Sequence, residues 1–128
     1  MAVGIAEPLQ IKLKRAYEPP AKNDGHRILV DRVWPRGVTK EDLRLHLWAK
    51  DLAPSAQLRK WFGHEPARWN GFKERYHREL DKLPNAIEEL AAECRKGPVT
   101  LVFGAKDTLH NQAVALKQYL EKRTETRS

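Results

Sequence analysis

HRILVDRVWPRG, residues 26 to 37, decides how the rest of the chain is read. Its apolar run Ile28, Leu29 and Val30 is bounded by polar and turn residues, the pattern of a strand buried on both faces of a sheet. Asp31, Arg32, Trp34, Pro35, Arg36 and Gly37 follow at once, so the strand's carboxyl end carries a charged cluster to one rim. Ligands of open α/β sheets bind at that rim.

Residues 99 to 103, VTLVF, form a second continuous apolar run and read as another central strand. Leu9, Ile11 and Leu13 alternate with Gln10, Lys12 and Lys14, as in a strand with one face on the core. The loop after it holds Pro19, Pro20 and an Asn23-Asp24-Gly25 turn signal, which leaves the direction of this first strand open. Tyr17 and Glu18 either staple the loop or face the rim.

Thr39 and Asp42 have the spacing of a capping box, and Leu45, Leu47 and Ala49 alternate as a third strand. Ser55 caps a helix bearing Leu58, Trp61 and Phe62 and stopped by Gly63. A longer helix opens near Pro66 with the stripe Trp69, Phe72, Tyr76, Leu80 and Leu83, which predicts packing against the sheet rather than a base-stacking platform. The next helix follows Pro84, with Asn85 and Glu88 as reciprocal caps and Ile87, Leu90, Ala91 and Cys94 on its buried face. In the last helix Asp107 or Thr108 is the cap, and Leu109, Ala113, Leu116 and Leu120 form the inner face. The whole predicts one small α/β domain over residues 9–122, a mostly parallel sheet of about four strands flanked by helices. Residues 1–8 are expected as an N-terminal tail and residues 123–128 as a frayed one.

A chain of 128 residues with 41% hydrophobic content can build one core. Its single cysteine, Cys94, excludes an internal disulfide and a cysteine-based zinc site and fits a reducing compartment. With no signal-like or membrane-spanning stretch, a cytoplasmic location is expected. Lys and Arg number 24 against 17 Asp and Glu, a formal charge of +7 that favours anionic partners. Many of these charges lie in mixed runs such as Lys73-Glu74-Arg75, which read as solvated helix faces. His26, His46, His64, His77 and His110 show no metal-ligand spacing, so no metal is expected. Without a phosphate loop, a dinucleotide glycine fingerprint or a nucleophile turn, no cofactor is expected either.

If the two continuous runs are parallel neighbours, Asp31, Arg32 and Arg36 meet Lys106, Asp107, His110 and Asn111 at one rim. Arg32, Arg36 and Lys106 suit a small phosphate, sulfate or carboxylate, with Trp34, Asp107 and Asn111 beside them and the last helix's N-terminus contributing free N–H groups. His110 is the candidate acid or base, oriented by Asp31 or Asp107. The structural alternative pairs Asp31 with Arg32 or Lys106 and uses His110 and Asn111 to satisfy the helix start. A second function class is nucleic-acid binding through Arg59, Lys60, Arg68, Arg75 and Arg78. A third is a partner-binding module, which an exposed Trp34 or Trp48 would favour.

The segments Lys14-Arg15-Ala-Tyr17-Glu-Pro19, Val30-Asp31-Arg32-Val-Trp34-Pro35-Arg36-Gly37, Ala53-Pro54-Ser55 with Leu58-Arg59-x-Trp61-Phe62, and Ala105-Lys106-Asp107 with His110-Asn111 resemble the YeaO-like family, domain of unknown function number four hundred and eighty-eight. The likeness runs from about Ile11 to Leu120 and implies no established activity. The resemblance implies wider relatives that carry a Val-Asp-x-Arg segment after one strand and a Cys-His-Arg triplet in a late strand-to-helix turn. Here the matching residues are Leu109-His110-Asn111. The resemblance thus implies that a cysteine nucleophile is missing and that at most the role of His110 carries over.

Overall fold

The computed structural model describes residues 9–127, with side chains through residue 123. Four strands, β1 (Ile11–Arg15), β2 (His26–Leu29), β3 (Leu47–Trp48) and β4 (Val99–Phe103), form one sheet in the order β1-β4-β2-β3. Every neighbouring pair is parallel. The two continuous apolar runs are the inner strands, side by side, because only a strand covered on both faces can bury consecutive apolar residues. β1 lies at an edge, parallel to β4, and accordingly alternates between buried Ile11 and exposed Lys12. Ile28 is level with Leu101 and Leu29 with Val102, so β2 and β4 end together on one rim.

Helices α1 (Lys40–Leu43), α2 (Ala56–Phe62), α3 (Trp69–Asp81), α4 (Pro84–Lys96) and α5 (Gln112–Arg127) complete the domain. Strand alternation divides the interior into two cores. Ile28, Val30, Val99, Leu101 and Phe103 belong to the larger, with Phe62, Phe72, Tyr76, Ile87, Cys94 and Leu116 from α2 to α5. Leu29 and Val102 belong to the smaller, closed by Leu43 of α1, Ala16 and the half-buried Trp34 and Trp48.

The local helix signals hold at two starts. Thr39 Oγ1 accepts the Asp42 N–H at 3.0 Å while Asp42 accepts the Thr39 N–H at 3.2 Å, and Ser55 Oγ accepts the Leu58 N–H at 3.1 Å. Elsewhere the structure differs. The third strand is only two residues long, and a 3-10 turn, Pro66–Arg68, precedes α3. Asn85 and Glu88 do not cap α4: the helix starts at Pro84, which has no N–H to satisfy, and Glu88 pairs with Arg95 and Arg123. α5 starts at Gln112, not after Asp107 or Thr108, and Leu109, expected on its inner face, is 70% exposed.

α5 also continues through Arg127, beyond the expected end of the domain at residue 122, and Arg123 is tied to Glu88 of α4. The tail expected over residues 1–8 lies outside the described residues. Among these, no helix is long and apolar enough to cross a membrane.

Candidate functional site

Val30 still donates its N–H to the Val102 carbonyl at 3.0 Å, so Asp31 leaves the sheet beside the end of β4. Its Oδ2 accepts the Gly104 N–H at 2.8 Å, and its Oδ1 accepts the side-chain amide of Gln112, the first residue of α5. One carboxylate therefore ties the end of β2, the end of β4 and the start of α5 together. A Cβ on Gly104 would stand 3.0 Å from that Oδ2, so a larger residue there would push the carboxylate back by a few tenths of an ångström. Burial pushes the Asp31 carboxyl above its ordinary value, against the opposing pull of the Gly104 N–H, Gln112 and the charge of Arg59 on α2. Asp31 pairs with neither Arg32 nor Lys106, the partners its sequence position offered.

The turn between β4 and α5 is built on Asp107. Oδ1 accepts the Leu109 and His110 N–H groups at 2.9 and 3.0 Å, and Oδ2 meets His110 Nδ1 at 3.0 Å. The Leu109 N–H first, and then the imidazole, hold the Asp107 carboxyl below its usual value. Of the two carboxylates read as orienting partners for His110, Asp107 is the one that meets the ring. Trp69 of α3 stands edge-on to His110 with ring centroids 5.4 Å apart, which fixes the imidazole from a second side.

Asp107 anchors its own turn, which is why the helix cannot begin there; Asn111 is the cap. Buried to 2% exposure, Asn111 donates from Nδ2 to the Asp107 carbonyl at 2.8 Å and accepts the Val114 N–H at 3.0 Å. It positions the turn instead of lining a ligand surface. Asn111→Ala is expected to cost about 1 kcal/mol of unfolding free energy in urea, the ordinary value of a lost N-cap. A change below a few tenths would mean that the cap contributes nothing.

Arg32, Arg36 and Lys106 are exposed, and none of the three has a hydrogen bond or ion pair among the described residues. Trp34, read from sequence as their neighbour in a binding surface, turns into the smaller core. Its Nε1 donates to the Val38 carbonyl at 2.6 Å, and its ring packs edge-on against Trp48 at 5.4 Å. Trp48 in turn donates to the Asp31 carbonyl at 2.7 Å. Both indoles are half-buried, so they form no exposed aromatic patch for a partner. Sequence reasoning missed Gln112, which carried no local signal, and the parts that Arg59 and Trp69 play here. Trp69 opens a helical stripe that reads as core and Arg59 lies on a basic helix that reads as a nucleic-acid face, so neither pointed to this rim.

On the basic helix faces, cations lie over the half-buried indole rings of Trp61 and Trp69. The Arg75 guanidinium lies 3.8 Å from the Trp61 ring centroid with Arg68 at 5.3 Å, and Lys73 lies 5.4 Å from that of Trp69. Bases need such faces open. A cleft of about 560 Å³ opens between the loop after β1 and α1, but Glu18, Glu41 and Asp42 line it against a single Arg44, an unsuitable setting for an anion.

Residues 10–128 match a family described as the inactive DUF488-N3 subclade, DUF488-N3i. The uncharacterized protein YeaO of Escherichia coli is 43% identical over 112 residues, covering 88% of this chain and 97% of the relative. The uncharacterized protein Rv3073c of Mycobacterium tuberculosis is 39% identical over 114 residues, 89% of this chain and 96% of its own. No solved structure gives a significant match.

Proposed function

Because the chain belongs to the inactive DUF488-N3 subclade, a YeaO-like family, we propose that it is a binding domain that holds a small anionic ligand without transforming it. The ligand bears a phosphate, sulfate or carboxylate and sits at the carboxyl rim of the sheet. The observation that carries this reading is the Asp31 bridge, which joins the segment bearing Arg32 and Arg36 to the turn bearing Lys106 and His110. Those segments carry three exposed cations, Arg32, Arg36 and Lys106, that have no carboxylate partner among the described residues, which supports an anion bound between them. Guanidinium groups suit such an anion because their N–H pairs match two of its oxygens at once.

His110, held by Asp107 and Trp69, serves as a hydrogen-bonding contact to the ligand. Leu109 stands where the family resemblance places a cysteine in wider relatives, and its exposed aliphatic side chain offers no nucleophile. The absence of a thiol at that position supports binding without covalent chemistry there.

Calorimetric titration with pyrophosphate, a mononucleotide and an alkyl sulfonate tests the reading. At least one is expected to bind, and Arg36→Ala and Lys106→Ala are each expected to weaken it about tenfold or more, the worth of a charged hydrogen bond. Equal affinity in the wild type and both variants would refute the rim site. A single-stranded oligonucleotide serves as the rival: affinity that falls steeply with added salt and ignores Arg36→Ala would favour nucleic acid.

A further inference from the structure

The opposite rim of the sheet carries a second cluster. His26 opens β2, His46 immediately precedes β3, and Glu93 projects from the last turn of α4. Glu93 Oε1 lies 3.0 Å from His26 Nδ1 and 3.1 Å from His46 Nε2, and all three donor atoms lie within 4.8 Å of one another. The imidazoles are stacked 3.8 Å apart at an interplanar angle of 8°. Lys96 holds the other carboxylate oxygen at 3.1 Å.

We propose that His26, His46 and Glu93 form a binding site for a divalent transition-metal ion of the zinc class. Two imidazoles and one carboxylate are the donor set such an ion takes when three protein ligands leave a position open for water. Donors about 2.0 Å from a tetrahedral ion stand about 3.3 Å from one another, close to the spacing already present between Oε1 and each ring nitrogen. To bind the ion, each neutral imidazole carries its single N–H proton on the ring nitrogen away from Oε1, Nε2 of His26 and Nδ1 of His46, which frees the lone pairs of His26 Nδ1 and His46 Nε2 as donors with no net release of protons.

Parallel rings hold their lone pairs side by side instead of converging, so binding requires the imidazoles to splay. Their side chains are 42% and 45% exposed, which leaves room for that rotation, whereas the carboxylate is largely enclosed at 17%. The backbone supports are firm: the His26 N–H donates to the Pro98 carbonyl at 3.0 Å and the His46 N–H to the Arg27 carbonyl at 2.8 Å. The three ligands come from three separate elements, so no short sequence spacing announces them. The site is independent of the anion rim, which lies at the other ends of the same strands.

Titration of the tag-free full chain with Co²⁺, followed by its visible absorption, and competition with Zn²⁺ test the proposal. The expected result is one ion per chain with a zinc Kd of about 10 µM or tighter. His46→Ala and Glu93→Gln are each expected to weaken it about tenfold or more, and His46→Cys, which restores a donor, to recover binding. Cys94→Ser and His64→Ala should leave the affinity unchanged, which separates this cluster from the chain's thiol and from an isolated exposed histidine. A wild-type Kd weaker than about 100 µM, or one that His46→Ala leaves unaltered in a variant with native circular dichroism, overturns it.

Discussion

Asp24→Ala is expected to lower the unfolding free energy by about 3–5 kcal/mol, the loss that follows when one member of a buried ion pair is removed. Asp24 lies in the turn before β2, yet it is 2% exposed. Its Oδ2 accepts from Arg27 Nη1 at 2.7 Å and from the Ala21 N–H at 3.0 Å, and its Oδ1 accepts from Lys14 at 3.1 Å. Arg27 is itself buried, donating from Nε to the Leu43 carbonyl at 2.8 Å, and its Nη2 has no partner among the described residues. Without the carboxylate, a guanidinium stays in the interior with nothing to offset its lost hydration. Urea unfolding followed by circular dichroism measures the effect. Lys14→Met, which removes a partner 19% exposed, should cost no more than about 1 kcal/mol. A loss below 1 kcal/mol for Asp24→Ala would show that Arg27 reaches water.

The same pair makes a statement about pH. Burial alone would raise the Asp24 carboxyl, but the Ala21 N–H, Lys14 and Arg27 together hold it below its ordinary value of 3.8. A carboxyl depressed in the folded state binds fewer protons there than in the unfolded chain. Its contribution is therefore fully present above about pH 4 and disappears as pH falls through the lower folded value. The wild type should lose stability over that acid range, and Asp24→Ala should show a shallower slope.

Gly25→Ala has the second large effect, about 3 kcal/mol or more, because strain and collision act together. Gly25 sits at φ +66°, and a Cβ there would stand 2.1 Å from the Pro98 carbonyl oxygen. That oxygen already accepts the His26 N–H, so the clash pushes apart the starts of β2 and β4. Gly97→Ala is the control. Its φ of 160° is extended backbone, nothing lies within 4 Å of the added carbon, and its melting temperature should stay within about 2 °C of wild type. Comparable losses in the two variants, read from thermal unfolding, would contradict the close approach at Gly25.

These two residues show where local reading stops. Asn23-Asp24-Gly25 reads correctly as a turn, and the positive φ at Gly25 belongs to that chemistry. Nothing nearby in sequence announces that the turn packs beneath β4, where Thr100 donates to the Asp24 carbonyl at 2.7 Å. The proposed anion rim divides in the same way. Asp31 and Asp107 stand out as charges at the ends of apolar runs, but Gln112 as the partner of Asp31, and Trp69 as the wall behind His110, come from elements distant in the chain. Trp34 follows charged residues in sequence yet packs into the smaller core, and the helical period that reaches back to Leu109 stops short of it because α5 begins at Gln112.

The sequence by itself determined the two inner strands, the caps at Thr39 and Ser55, the core stripe of α3 and the burial of Cys94. Each is written within a few residues, in hydrophobic period or in a side chain that satisfies a nearby N–H. Only the tertiary structure decided the strand order, the direction of β1, the turn that delays α5, and the meeting of His26, His46 and Glu93. Those depend on which distant segments pack together, and packing is settled by the shape and burial of the whole domain, a quantity that no short window of residues contains.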